Sequence, residues 1–266
     1  MILCKVLKIQ SLASGSKGNS VYIASDTTQI LVDVGLNLAQ LKKRLASAEI
    51  DPEKISAVLV THEHIDHILG LENFIKRYNT PLFIHDKVTD IFRNIPKEQI
   101  HCFCNPFIIG DISVNFFPVS HDSKFCFGYT FEKAGAKISL ATDLGRVTED
   151  ILSNMNHSQI VMLECNHDLL RLTYNKHYPL VLKQRITGSH GHLSNPACAL
   201  AVYRLAQMGV GQVILAHLSQ ENNSPSLAYE FVKDFLAKKG IIEGKDIWID
   251  IATQDKATVP FHVEHS

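Results

Sequence analysis

With 266 residues, 45% hydrophobic and 20% charged, the chain can bury a substantial core as one large domain or two small ones. Its formal charge of −1, from 26 Lys and Arg against 27 Asp and Glu, gives no global argument for nucleic-acid binding. No stretch approaches the ~18–20 apolar residues that a membrane span needs, and six cysteines without framework spacing predict reduced thiols and a cytoplasmic location.

The N-terminal run over residues 1–9 is interrupted by Lys5 and Lys8, so it reads as a strand and not as a leader. Short apolar, β-branched runs then recur at 21–24, 30–32, 57–60, 82–84 and 112–117. Further runs follow at 127–131, 138–141, 160–163, 213–216 and 247–251. Leu38, Leu41 and Leu45 fall on one helical face, and a second helix is predicted after His67. Gly110-Asp111 and Ala134-Gly135 supply hairpin turns. Asn195-Pro196 opens a helix that Gly209 closes, and Ser224-Pro225 opens another that Gly240 closes, each with a capping side chain ahead of a proline that needs no donor. These elements predict an α/β (α+β) fold with αββα layering, in which two mostly antiparallel sheets lie between helices. No linker, repeat or low-complexity tract divides the chain, so a single domain over residues 1–266 is predicted.

The densest chemistry lies in Thr61-His62-Glu63-His64-Ile65-Asp66-His67, directly after the apolar run 57–60. A strand that ends in His-x-His-x-Asp-His leaves imidazole and carboxylate ligands on a loop at a sheet edge, where a metal is open to substrate. Three other apolar strands end in the same type of group, at His121, Asp143 and His217, and Asp33 closes residues 30–32 at the same edge. A histidine at one strand end is ordinary polar termination; the joint occurrence marks a metal site. Cys102 and Cys104 beside His101 are separated by one residue, too close for a shared tetrahedral site, and read as structural.

The order Asp33, His62-x-His64-x-Asp66-His67, His121, Asp143, His217 resembles the five motifs of the metallo-β-lactamase fold superfamily. Within it, Ser14-Gly15-Ser16-Lys17-Gly18-Asn19-Ser20, Asn166-His167-Asp168, Gly191-His192-Leu193-Ser194-Asn195 and residues 178–186 and 217–223 resemble the YycJ/WalJ group, regarded as exonuclease-like. The resemblance implies two divalent metal ions, one on His62, His64 and His121, the other on Asp66, His67 and His217, with Asp143 between them. It implies that Asp33 supports the loop through hydrogen bonds. Five His and two Asp suit zinc, and manganese or iron accept the same set. Where secreted lactamases of this fold usually carry Cys, this chain has Asp143. Only 73 residues separate Asp143 from His217, too few for the extra β-CASP domain of RNA-processing relatives.

Beyond the ligands, the Gly-rich turn 14–20 offers Ser16, Lys17 and Asn19 to an anion. His192, just before a capped helix, is a candidate phosphate contact and general acid, and Asp66 is the second expected catalytic group. His167 is a candidate for orienting a ligand from outside. Residues 169–220 contain no Asp or Glu but hold Arg171, Lys176, Lys183, Arg185 and Arg204, which predicts a surface that meets an anion, with Lys183 and Arg185 as binders. The expectation is a metal-dependent hydrolase of phosphodiester bonds, a 5′-to-3′ exonuclease with DNA as substrate. The same ligand set would serve a small-molecule phosphodiesterase, a thioesterase or a regulator that kept the fold.

Overall fold

The computed structural model describes residues 4–92 and 94–265. Its first sheet runs in the order β14 (Phe261–His265), β1 (Cys4–Ala13), β2 (Ser20–Ala24), β3 (Gln29–Val32), β4 (Ala57–Leu59), β5 (Leu82–His85), β6 (Ile100–Phe103). The second runs β13 (Trp248–Ile251), β12 (Gln212–Ala216), β11 (Ile160–Glu164), β10 (Ala136–Ala141), β9 (Phe127–Lys133), β8 (Ile112–Pro118), β7 (Phe107–Ile109). Helices cover both outer faces: α1 (Leu38–Ser47), α2 (Ile65–Ile68) and α3 (Leu71–Tyr78) belong to the first half, α4 (Glu149–Met155) to the second. In the second half, α5 (Leu169–Tyr174), α6 (Leu180–Thr187), α7 (Asn195–Gln207) and α8 (Pro225–Lys238) follow.

Alternation along the strands explains the four layers. Ile30 and Val32 face the other sheet while Leu31 joins Leu41, Leu45, Phe74 and Ile75 beneath α1 and α3. In the second sheet Ile138, Leu140, Met162 and Ile214 face inward, and Val161, Leu163, Val213 and Leu215 pack outward against α4, α7 and α8. The αββα layering stands as expected, but the sheets are mixed and not mostly antiparallel. The pairs β14–β1, β1–β2, β2–β3, β7–β8, β8–β9 and β9–β10 are antiparallel. The pairs β3–β4, β4–β5, β5–β6, β10–β11, β11–β12 and β12–β13 are parallel. The reason is connection length. Tight turns at Gly110 and at Ala134-Gly135 force antiparallel neighbours, while helices such as α1 and α7 carry the chain back to start a parallel strand.

Parallel neighbours place their C-terminal ends on one edge. Thus β3 and β4 in one sheet and β10, β11 and β12 in the other all deliver their following residues to the same rim. Among the described residues no helix is long and apolar enough to cross a membrane.

Candidate metal centre

At that rim the chain brings together every residue of the predicted ligand set. Four overlapping groups have donor atoms within 4.8 Å of one another: His62, His64 and His121; Asp66, His67 and His217; His62, His67 and Asp143; and Asp143, Glu164, His192 and His217. Three strand-end residues turn inward through left-handed backbone, with φ of 63° at Asp33, 57° at Asp143 and 54° at His217. Such angles are costly for non-glycine residues and cluster where a site dictates them.

Hydrogen bonds fix the imidazoles. His67 donates from Nδ1 to Asp33 Oδ2 (2.7 Å), and Thr61 ties the same carboxylate through its backbone N–H and hydroxyl (both 2.8 Å). His217 and His192 both donate from Nδ1 to Glu164 Oε1, each at 2.8 Å. Glu164 Oε2 accepts the N–H groups of Leu144 and Leu193, so this carboxylate is buried and fully engaged. These bonds leave the Nε2 atoms of His67 and His217 facing the cluster. Carboxylates behind metal-binding histidines set the tautomer and raise ligand basicity.

Protonation divides the cluster. Burial, followed by the neighbouring His67, pushes His62 well below its usual range, and burial lowers His121. For His67, burial is opposed by Asp33 and Asp143, which lift its pKa to about 10. Burial likewise opposes the charged form of His217, but Asp143, Asp66 and Glu164 raise it well above normal. Burial acts against ionised Glu164, yet His192 and His217 bring it down to about 2. Asp143 is held well below the carboxylate range against its burial, chiefly by His217 and His67.

Does this donor set fit divalent metal? His62 Nε2 and His217 Nε2 are buried with no hydrogen-bond partner among the described residues, and Asp143 Oδ2 faces the same cluster with His67 Nε2 at 3.2 Å. Unpaired buried polar atoms cost about 1–3 kcal/mol each, so two such nitrogens beside a buried carboxylate call for a cation. The fit is good.

The remaining predicted residues fall in several places. Ser16 and His192 line a cleft of about 180 Å³ beside the cluster, together with Asp122, Tyr178, Arg185 and Ser219. Asn19 is buried and lies inward, its Nδ2 3.0 Å from His67 Nε2 and 3.3 Å from Asp66 Oδ2. Lys17 is exposed, with its backbone N–H donated to Gln254. Lys183 is tied back to the carbonyl of Thr173 (2.6 Å), whereas Arg185 reaches the cleft and pairs with Asp122. His167 is buried, burial lowers its pKa to about 4, and its ring meets no hydrogen-bond partner among the described residues. The orienting work expected of His167 falls to Glu164.

Glu164 and Asp122 were missed from sequence. A Glu that ends an apolar strand is indistinguishable from ordinary termination, but residues 160–163 ended beside the same rim and should have raised it. Asp122 was visible as the acid that directly follows His121.

Residues 28–218 match the family described as the beta-lactamase superfamily domain, and the chain belongs to that superfamily as a hydrolase of the metallo-β-lactamase fold. Such a fold implies divalent metal. The chain is 34% identical over 245 residues to exodeoxyribonuclease YycJ of Bacillus anthracis, covering 90% of this chain and 92% of that one. It is 33% identical to exodeoxyribonuclease WalJ of Streptococcus pneumoniae, covering 94% and 96%. The crystal structure of the metallo-β-lactamase fold protein YhfI from Bacillus subtilis superposes with a TM-score of 0.73 at 16% identity, over 95% of this chain and 99% of that one.

Proposed function

We propose that the protein is a single-domain, dinuclear-metal nuclease that removes nucleotides from the 5′ end of DNA in the cytoplasm, with zinc as resident metal and manganese or iron as substitutes. The observation that carries this reading is the coincidence of an intact N/O donor cluster with near full-length relatedness to two proteins named exodeoxyribonucleases.

The ligands divide as His62, His64 and His121 for one ion and Asp66, His67 and His217 for the other, with Asp143 shared. Two ions held there would supply positive charge for the phosphoryl oxygens and would make water a nucleophile at neutral pH. The chain's own groups do the rest. Asp66 is held ionised against its burial by His217 and His67. Glu164 raises the pKa of His192 against burial, which favours the protonated ring. With Nδ1 committed to Glu164, the Nε2 proton of His192 is free for the cleft, where it protonates the departing oxygen. Ser16 and Arg185 line the same cleft and take phosphate oxygens.

The test is digestion of end-labelled double-stranded DNA by metal-replete protein, with Asp143→Ala as control. Stepwise release from the 5′ end, absent in the variant, is the expected result. Turnover of a small phosphodiester without any attack on DNA would replace the nuclease with a small-molecule enzyme.

A further inference from the structure

The cleft beside the cluster holds an ion pair whose carboxylate, Asp122, has no part in the chemistry above. Asp122 follows His121 directly; its Oδ1 lies 3.3 Å from His121 Nε2 and 3.9 Å from His64 Nε2. Its Oδ2 accepts from Nε of Arg185, which stands on α6 in the acid-free segment. We propose that Asp122 and Arg185 form an orienting clamp for the phosphate next to the one being cleaved, a reading that rests on the nuclease assignment.

Three observations carry it. First, Asp122 is the one carboxylate among the residues that line this cleft, and a bare carboxylate there would repel a polyanion. Arg185 neutralises it and adds donors. Second, binding through Nε leaves the Nη1–Nη2 edge of the guanidinium, which engages no acceptor among the described residues. That planar edge matches two phosphate oxygens, and a carboxylate on Nε fixes its plane. Third, the Arg185 side chain is 62% exposed, so the pair contributes little to holding the fold. Asp122 stands between the two, with Oδ1 toward His121 and Oδ2 toward Arg185, so the guanidinium lies on the side of the carboxylate away from the ligand histidines. On this proposal, that is the side on which the neighbouring phosphate lies. Asp122 is a positioning residue, acting through Arg185.

The experiment compares a dinucleoside monophosphate, which carries only the scissile phosphate, with the same dinucleotide bearing a second phosphate at its 5′ or 3′ end. In metal-replete wild type the second phosphate at one end should lower KM by about tenfold, as a charge-assisted pair predicts. Arg185→Gln should reduce that preference to within about twofold, and Arg185→Lys, which keeps charge without the fork, should restore only part of it. Asp122→Asn should give an intermediate preference with unchanged metal content, and the double variant should be no worse than Arg185→Gln alone. A preference that survives in Arg185→Gln overturns the clamp, as does additivity in the double variant. Loss of metal from Asp122→Asn overturns the positioning role. Equal KM for all three substrates in wild type sinks the clamp alone, whereas failure to cleave any of them, or DNA, sinks the nuclease reading with it.

Discussion

The two halves of the metal cluster are built differently. Around His67 and His217, carboxylates stand behind the rings: Asp33 at 2.7 Å and Glu164 at 2.8 Å. Around His62 and His121 the outer partners are neutral, the Thr61 hydroxyl at 3.0 Å and the Gly191 carbonyl at 3.3 Å, and the His64 side chain is 31% exposed. One half therefore has carboxylates hydrogen-bonded behind its rings, whereas the other has a hydroxyl and a carbonyl there, with the Asp122 carboxylate no nearer than 3.9 Å to His64 Nε2. The lesson is that two sites of nearly the same donor chemistry can differ in proton competition and in basicity through what stands one residue further out.

The sharpest way to break the comparison is Asp143→Ala, because the proposed assignment shares this carboxylate between both halves. Elemental analysis should show both metals lost, with a rate fall beyond the roughly 10–100-fold that outer partners cost and circular dichroism unchanged; retained metal would refute the shared role. Glu164→Gln comes next. On the proposed roles it would weaken His217 as a ligand and His192 as an acid together, so hydrolysis should drop by about 100-fold, with loss from the carboxylate-backed half only. A milder change, Asp33→Asn, should lower metal affinity in that half by about tenfold, measured by competition with a chelator, while the other half keeps its ion.

A pH series sharpens the contrast further. Without metal, His67 has its pKa raised to about 10 from an unfolded value of about 6.5. Its contribution to stability is fully present below the unfolded value and is lost as pH rises through the folded one. The melting temperature of chelator-treated protein should fall between pH 7 and 10, and metal uptake near pH 7 should release protons from this half. A flat profile would show that Asp33 and Asp143 do not hold that proton. The smallest effect belongs to a change that touches neither half. Thr148 caps α4 by accepting the Ile151 N–H at 3.3 Å, and Thr148→Ala should cost about 1 kcal/mol in denaturant unfolding without altering metal content.

How much of this was legible beforehand depends on whether a residue acts locally. The order of His62, His64, Asp66, His67, His121, Asp143 and His217 at the ends of apolar runs was readable, because termination of a strand is a local event. Strand direction was not, since apolar runs look the same in either orientation. The helix between residues 32 and 57 was the available sign of a parallel crossover. Glu164 stayed hidden because its role depends on burial between two distant histidines. Asn19 was read as part of an anion-binding turn, and the structure packs it against His67 and Asp66. Left-handed backbone at Asp33, Asp143 and His217 left no mark in composition, because aspartate and histidine are ordinary residues anywhere else.

The ligands are drawn from both sheets, from His62 near β4 to His217 after β12, and this governs the order of events during folding. Neither sheet alone owns either half: His121 must join His62 and His64, and His217 must join Asp66 and His67. Closing such distant contacts is slow, and metal affinity grows only once they exist. The ion therefore acts as a lock on a finished molecule and not as a seed for an unfinished one. Added metal should slow unfolding far more than it speeds refolding.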